Sequence, residues 1–205
     1  AHAAAITGAK IKFADVNDLT GNILLSEIKK LTTKKTKCII VVHMAGYSCE
    51  MDKIVKFCKK NNIFLIEDCA HGLGTMYKKK HVGNFGIAGI FSFYPTKQIT
   101  TGEGGVVITN NKNLINKIKI IKSIGLNTPP EKRKIQGLYD VTNLGLNYRL
   151  TDFQAALAIG QMIRYNKNLK KRRENAKYYI EKIKKIKELK IKNFNKKHSY
   201  FILQV

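Results

Sequence analysis

Cys38-Ile39-Ile40-Val41-Val42-His43 and Ile63-Phe64-Leu65-Ile66-Glu67-Asp68 are two apolar runs separated by a segment of different rhythm. Each run is continuous rather than alternating, as in a parallel strand covered on both faces. Between them, Met51 to Asn61 carries Ile54, Val55 and Cys58 on one helical face. Strand, helix and strand in succession argue for an α/β domain with a largely parallel sheet. Toward the N-terminus, Leu24 to Leu31 reads as a helix and Ile11 to Val16 as a short strand. Ala1 to Ile6 reads as the end of a helix stopped by Gly8. Toward the C-terminus, Gly89 to Phe93 and Gly105 to Thr109 read as strands flanking a polar, Gly-rich loop, and Leu114 to Ile121 as an amphipathic helix. Residues 123–147, with Pro129 and Pro130, form an irregular stretch of a length that is usually functional. Thr151 and Asp152 open a long helix expected to reach about Leu189, and Phe201-Ile202-Leu203 reads as the start of another strand.

The composition narrows the classes. A chain of 205 residues suits one large domain, or one domain plus part of another. A hydrophobic fraction of 44 % excludes a disordered chain. No apolar run approaches the roughly 20 residues of a membrane helix, and no secretory leader is visible, so no membrane partner is expected. The net charge of +24 invites a nucleic-acid reading, yet only five of the 38 basic residues are Arg. Nucleic-acid readers lean on the planar Arg fork, and Lys spread over every segment suits solvated faces better. Residues 164–197 hold much of the excess, with 15 basic and 3 acidic side chains. The cysteines, Cys38, Cys49, Cys58 and Cys69, fit no zinc spacing. They read as reduced thiols of a cytoplasmic protein, and no metal site is expected.

Two residues stand out chemically. Asp68 follows a buried strand, and open α/β sheets place ligands outside the carboxyl ends of their strands. A carboxylate there can hold a protonated ring nitrogen; it can equally cap the next turn. Lys97 lies in Phe91-Ser92-Phe93-Tyr94-Pro95-Thr96-Lys97, ahead of a loop containing Gly102, Gly104 and Gly105, with no other Lys within ten positions. A partly desolvated Lys is a nucleophile toward carbonyls, and glycines let backbone approach a ligand. A Lys for a Schiff base and a carboxylate for a pyridinium nitrogen are what pyridoxal phosphate asks of its protein.

From this point a family resemblance is specific. IEDCAHGLG over 66–74 resembles the IEDAAHALG stretch of the DegT/DnrJ/StrS sugar aminotransferases, and HVGNFG over 81–86 resembles their VGSFG turn. FSFYPTKQITTGEGG over 91–105 resembles their cofactor-lysine segment, and LGLNYRLTDFQAA over 144–156 is similar to their GYNYRMTDIQAA. The opening AHAAAITGAKIKFADV resembles the stretch before their second strand. One departure is Ile124-Gly125, where the family often has His-Gly.

The resemblance implies a fold type I large domain, a mixed and mostly parallel sheet with helices on both faces. It divides the chain into a cofactor-binding domain over 1–150 with its N-terminal part missing, a linking helix over 151–190, and the start of a small C-terminal domain over 191–205. It implies amino transfer, with pyridoxal 5'-phosphate as cofactor and glutamate as donor, to a nucleotide-linked keto sugar in polysaccharide or glycan sugar biosynthesis. Lys97 would carry the cofactor covalently, Asp68 would keep its ring nitrogen protonated, and Ser92 would donate to its phosphate. His71 would lie near the ring, or be a structural histidine at a strand end. Asn147 would reach the phosphate in the neighbouring subunit, so a homodimer with shared active sites is expected. The competing readings are a non-catalytic relative with a binding or regulatory role and a basic nucleic-acid module.

Overall fold

The two apolar runs are adjacent parallel strands, β1 (Cys38–Val42) and β2 (Phe64–Asp68), in register from Cys38 with Phe64 to Val42 with Asp68. The molecule is seen here as a computed structural model that describes residues 1–127 and 133–205; Pro129 and Pro130 lie outside the described residues. Two further strands, β5 (Ala88–Ser92) and β6 (Gly105–Ile108), complete a sheet of order β1-β2-β5-β6. β5 runs parallel to β2, and β6 runs antiparallel to β5. The sheet is therefore mixed and mostly parallel, as the sequence predicts. A small hairpin that the sequence reading misses, β3 (Met76–Tyr77) with β4 (Lys80–His81), lies between β2 and β5 in the chain.

The helices are α1 (His2–Ala5), α2 (Leu25–Leu31), α3 (Met51–Lys60), α4 (Lys112–Ile121) and α5 (Asp152–Ile183). Alternation in the strands decides the main core. Ile39, Val41 and Leu65 point to one face and meet Ile28 of α2 and Met51, Ile54 and Cys58 of α3. On the opposite face Ile40, Phe64 and Ile90 are exposed among the described residues. Asp68 shares that face with Phe64 and Ile66, because side chains two apart on a strand point the same way.

α5 begins where the sequence predicts, in a capping box. The Thr151 hydroxyl accepts from Gln154 N–H at 3.2 Å, and the Gln154 side chain accepts from Thr151 N–H at 3.0 Å. It ends at Ile183, short of Leu189. Ile180 is its last buried residue, and Lys182, Lys184, Lys185 and Lys187 follow, so neither packing nor like-charge spacing supports another turn. Two expected strands are absent. Ile11 to Val16 forms only a bridge from Val16 to Ile23, with Phe13 exposed. Phe201 to Leu203 forms no ladder among the described residues; this segment folds against α5 and the loop after β1, where Tyr200 joins Ala45, Tyr47, Ala176 and Ile180 in a second core.

Candidate active site

The carboxyl ends of β2 and β5 set the site's floor. Register pairs Asp68 with Ile90, which places Ser92 on the same sheet face, two residues (about 7 Å) further along the neighbouring strand. The Asp68 carboxylate is half-buried, and its Oδ1 accepts from Ala70 N–H at 3.0 Å. Its Oδ2 receives no hydrogen bond among the described residues. After β5 the chain makes a closed loop. Phe93 N–H donates to Gly104 carbonyl, Thr101 N–H returns to Phe93 carbonyl, and Lys97 N–H donates to Tyr94 carbonyl. Gly104 sits at φ 139, where a Cβ would come within 2.8 Å of Thr101 Oγ1, so this turn requires glycine.

Three of the five predicted site residues converge here. Lys97 and Asp68 are both close enough to His71 to act on it electrostatically. Burial, and then the Lys97 charge, push the His71 imidazolium down, against the opposing pull of Asp68. His71 Nδ1 accepts from Ala45 N–H at 3.4 Å, which leaves the proton of the neutral ring on Nε2. The Lys97 ammonium has no carboxylate partner among the described residues; it lies 5.0 Å from the centre of the Phe201 ring, and that ring stacks on His71 at 4.3 Å and 19°. Ser92 lies close by, its Oγ accepting from Tyr94 N–H at 3.2 Å. Asn147 stands apart from this cluster. It is exposed, bridges Ser123, and accepts from Arg149 Nε at 3.2 Å.

The sequence reading missed how α5 holds these loops. Gln154 donates to Glu103 carbonyl at 2.9 Å, and Gln161 both donates to and accepts from the Thr100 backbone, at 2.5 and 3.0 Å. Tyr165 OH donates to Leu73 carbonyl at 2.6 Å and lies 2.7 Å from the Gln98 amide. The hydroxyl has one proton to give, and Gln98 Nε2 is left without a partner. Turned over, that amide donates to the Tyr165 oxygen, which resolves the competition for the hydroxyl proton and leaves the amide oxygen as the end without a partner among the described residues. Polar residues at positions 154, 161 and 165 follow the seven- and four-residue spacing of one helix face, and this was the available signal.

Also missed was Glu67, which is fully buried beside Asp68. Its Oε2 lies 3.1 Å from His43 Nε2 and accepts from Gly83 N–H at 2.7 Å; its Oε1 accepts from Phe85 and Gly86 N–H at 2.6 and 2.8 Å. Burial alone would raise its pKa, but these four donors outweigh it and hold the carboxyl below its ordinary value. His43 Nδ1 accepts from Cys49 N–H at 3.2 Å, so the ring is neutral with its proton on Nε2. His43, Glu67 and Cys69 place donor atoms within 4.8 Å of one another. Both Glu67 oxygens and both His43 nitrogens are already engaged, so the cluster reads as a carboxylate–imidazole pair rather than an open metal cage. The docking of this turn explains two glycines. Gly83 has φ 91, and a Cβ on Gly89 would come within 2.4 Å of Gly83 Cα.

The order of these parts along the chain matches one family. The model of the DegT/DnrJ/EryC1/StrS aminotransferase family matches residues 1–205. The chain belongs to this family. Its members include pyridoxal-phosphate-dependent sugar aminotransferases, and they have the α/β architecture of fold type I. A UDP-4-amino-4,6-dideoxy-N-acetyl-beta-L-altrosamine transaminase of Campylobacter jejuni is 42 % identical over 214 residues, covering 99 % of this chain and 54 % of that protein. A GDP-perosamine synthase of Escherichia coli O157:H7 is 37 % identical, covering 97 % of this chain and 53 % of that protein. Among solved structures, an aminotransferase of Psychrobacter cryohalolentis superposes with TM-score 0.90 at 34 % identity, covering 98 % of this chain and 54 % of that one. The chain thus spans about half the length of the relatives it matches. Among the described residues no helix is long and apolar enough to cross a membrane.

Proposed function

We propose that this chain forms the lysine-bearing part of an aminotransferase that moves an amino group from glutamate to the keto group of a nucleotide-linked sugar, in the making of polysaccharide or glycan sugars. The carrying observation is the convergence on His71 of a half-buried Lys97 amine and an Asp68 carboxylate, the first without an ion-pair partner and the second with one oxygen unused among the described residues. Those donors and acceptors fit pyridoxal phosphate, which when bound supplies a ring that takes up the electron pair released as a C–H bond breaks. Asp68 Oδ2 is free to accept from the protonated ring nitrogen. Lys97 Nζ holds the cofactor at rest and, once free, carries a proton between the two carbons that exchange it. His71 Nε2–H and Ser92 Oγ–H serve as donors to the ring oxygen and the phosphate. The resemblance in sequence supports the choice of glutamate, and the names of the two curated relatives support a nucleotide sugar.

The working unit in this reading is a homodimer with shared sites. Support comes from the exposed apolar surface on both sides of Asn147: Leu144, Tyr148, Phe153, Ile159 and Ile163 are between 63 and 96 % exposed. Surfaces of this kind mark interfaces, and Asn147 would cross one to the partner's phosphate. Four free thiols, of which burial pushes Cys58 up to about 11 and Cys49 up to about 12, suit a reducing cytoplasm.

The test uses the full-length protein. Pyridoxal phosphate should give a visible absorbance band, and borohydride should bleach it while fixing the cofactor mass to the Lys97 peptide. Lys97→Ala should lose the band and about 10⁴-fold of the amino-transfer rate, with its folding midpoint little changed. A wild-type protein that takes up no cofactor, or a Lys97→Ala protein that still turns over, overturns the proposal.

A further inference from the structure

Phe201 is an aromatic side chain of the site whose ring contacts are functional groups. It stacks on His71 at 4.3 Å and lies 5.0 Å from Lys97 Nζ, and it belongs to none of the apolar clusters of the described residues. We propose that Phe201 is a positioning residue of the site, a plate on which the His71 ring stacks and over which the Lys97 amine lies; this rests on the pyridoxal-phosphate reading of Lys97.

The backbone that presents Phe201 is held more firmly than chain docking requires. Tyr200 sits at φ 51, left-handed backbone that a bulky residue adopts only when its surroundings impose it. Its ring is buried against Tyr47 and Phe194, and the residue that follows, Phe201, stacks instead on His71. The Ser199 hydroxyl donates to His71 carbonyl at 3.1 Å, and Ser199 N–H donates to Thr75 Oγ1 at 3.2 Å. Arg172 Nη1 lies 3.3 and 3.4 Å from the carbonyls of Tyr200 and Phe201. Arg173 ties His198 carbonyl to Gly74 carbonyl, both at 2.9 Å. Only five of 38 basic residues are Arg, and two of them stand here, where a rigid fork spans two acceptors as Lys cannot.

The same segment thus grips the backbone of His71 and covers its ring. A stacked ring keeps the imidazole in one plane and so fixes the direction of Nε2–H. An ammonium over a ring face is drawn to the ring quadrupole, which limits the rotamers open to Lys97. Loss of both restraints should slow the step in which Lys97 moves a proton more than it weakens binding of the amino donor.

The test compares Phe201→Leu and Phe201→Tyr in the full-length protein. Without cofactor, the His71 ring protons, assigned with His71→Gln, should be shifted upfield by the Phe201 ring current in wild type and in Phe201→Tyr. They should return toward ordinary positions in Phe201→Leu. With pyridoxal phosphate and glutamate, Phe201→Leu should lower kcat about three- to tenfold, with KM within about twofold, and Phe201→Tyr should restore kcat. His71 resonances that do not move in Phe201→Leu, or a wild-type kcat in that variant, overturn this inference alone. A wild-type protein that takes up no pyridoxal phosphate overturns the reading of Lys97 and with it the functional part of this one, while the ring-current result still decides whether the plate exists.

Discussion

Glu67 and Asp68 are consecutive carboxylates on one strand, and the fold treats them oppositely. Alternation sends Glu67 into the core, where four donors saturate its two oxygens. Asp68 goes to the open face, half-buried, with one donor on one oxygen. On the proposed reading of Asp68, closure to water is therefore a poor guide to which carboxylate does chemistry. Spare hydrogen-bonding capacity is the better one, because a saturated carboxylate has nothing left to offer a ligand. Lys97, without an ion-pair partner, falls on the same side of that line as Asp68, and the His43–Glu67 pair falls on the other.

The largest expected effect tests this contrast directly. Glu67→Ala leaves three buried N–H groups and the His43 N–H without an acceptor. It should destabilise the protein by about 3–5 kcal/mol in denaturant unfolding. Asp68→Ala should cost under about 1 kcal/mol of stability while abolishing amino transfer. Acid sharpens the point. The folded Glu67 carboxyl lies below its unfolded value, so its contribution is complete above the ordinary Glu range near pH ~4.3 and is lost as pH falls through the folded value. Glu67→Gln should flatten that acid limb. Equal losses from the Glu67 and Asp68 variants would show that saturation does not separate the two.

A third kind of buried group lies between them. His198 is 6 % exposed, and its Nδ1 has no hydrogen-bond partner among the described residues. It is neither saturated nor open, and it stays buried by staying neutral. Burial, then Lys192 and Arg173, push its pKa down to about 4. The unfolded chain takes up this proton near pH ~6.5. Stability is thus fully present above that pH and declines as pH falls from there to about 4, by about 3 kcal/mol in all. Phenylalanine keeps a ring against Tyr47, so the stability difference between wild type and His198→Phe should change by about that amount between pH 7 and pH 4. A difference that is constant with pH would show that the ring is hydrated or finds an acceptor.

Much of this was legible because apolar runs and chain order carry it. Ile39, Val41 and Leu65 announce the parallel strands, and the proposed roles of Asp68 and Lys97 rest on their positions after strands. Local chemistry also marked the start of α5, since Thr151 and Gln154 form their box within four residues. What escaped depends on separation in the chain. His43 and Glu67 are 24 residues apart, and nothing local in Ile66-Glu67-Asp68 tells which carboxylate meets four donors. Tyr165 meets Leu73 across 92 residues, and Arg173 meets Gly74 across 99. Phe201 reads as a strand because Phe-Ile-Leu has strand character; among the described residues it pairs with no strand, and Arg172 of α5 lies against its carbonyl instead.

The smallest effect belongs to a carboxylate that is neither buried nor at the site. Glu27 accepts from Lys30 at 2.7 Å within α2, with the Lys side chain 70 % exposed. By the saturation argument this carboxylate has partners enough in water, so removing one protein donor should matter little. An exposed pair three residues apart on a helix stabilises it by about 0.2–0.5 kcal/mol. Lys30 also lies in the last turn, where a cation favours the helix dipole by a few tenths of a kcal/mol. Alanine offsets part of both losses through its higher helix propensity. Lys30→Ala should therefore shift stability by less than about 0.5 kcal/mol at low salt. The shift should shrink further in about 1 M salt, where the screening length falls to about 3 Å. A loss above 1 kcal/mol that salt does not change would mean that Glu27 is held like Glu67, and that exposure to water does not substitute for protein donors.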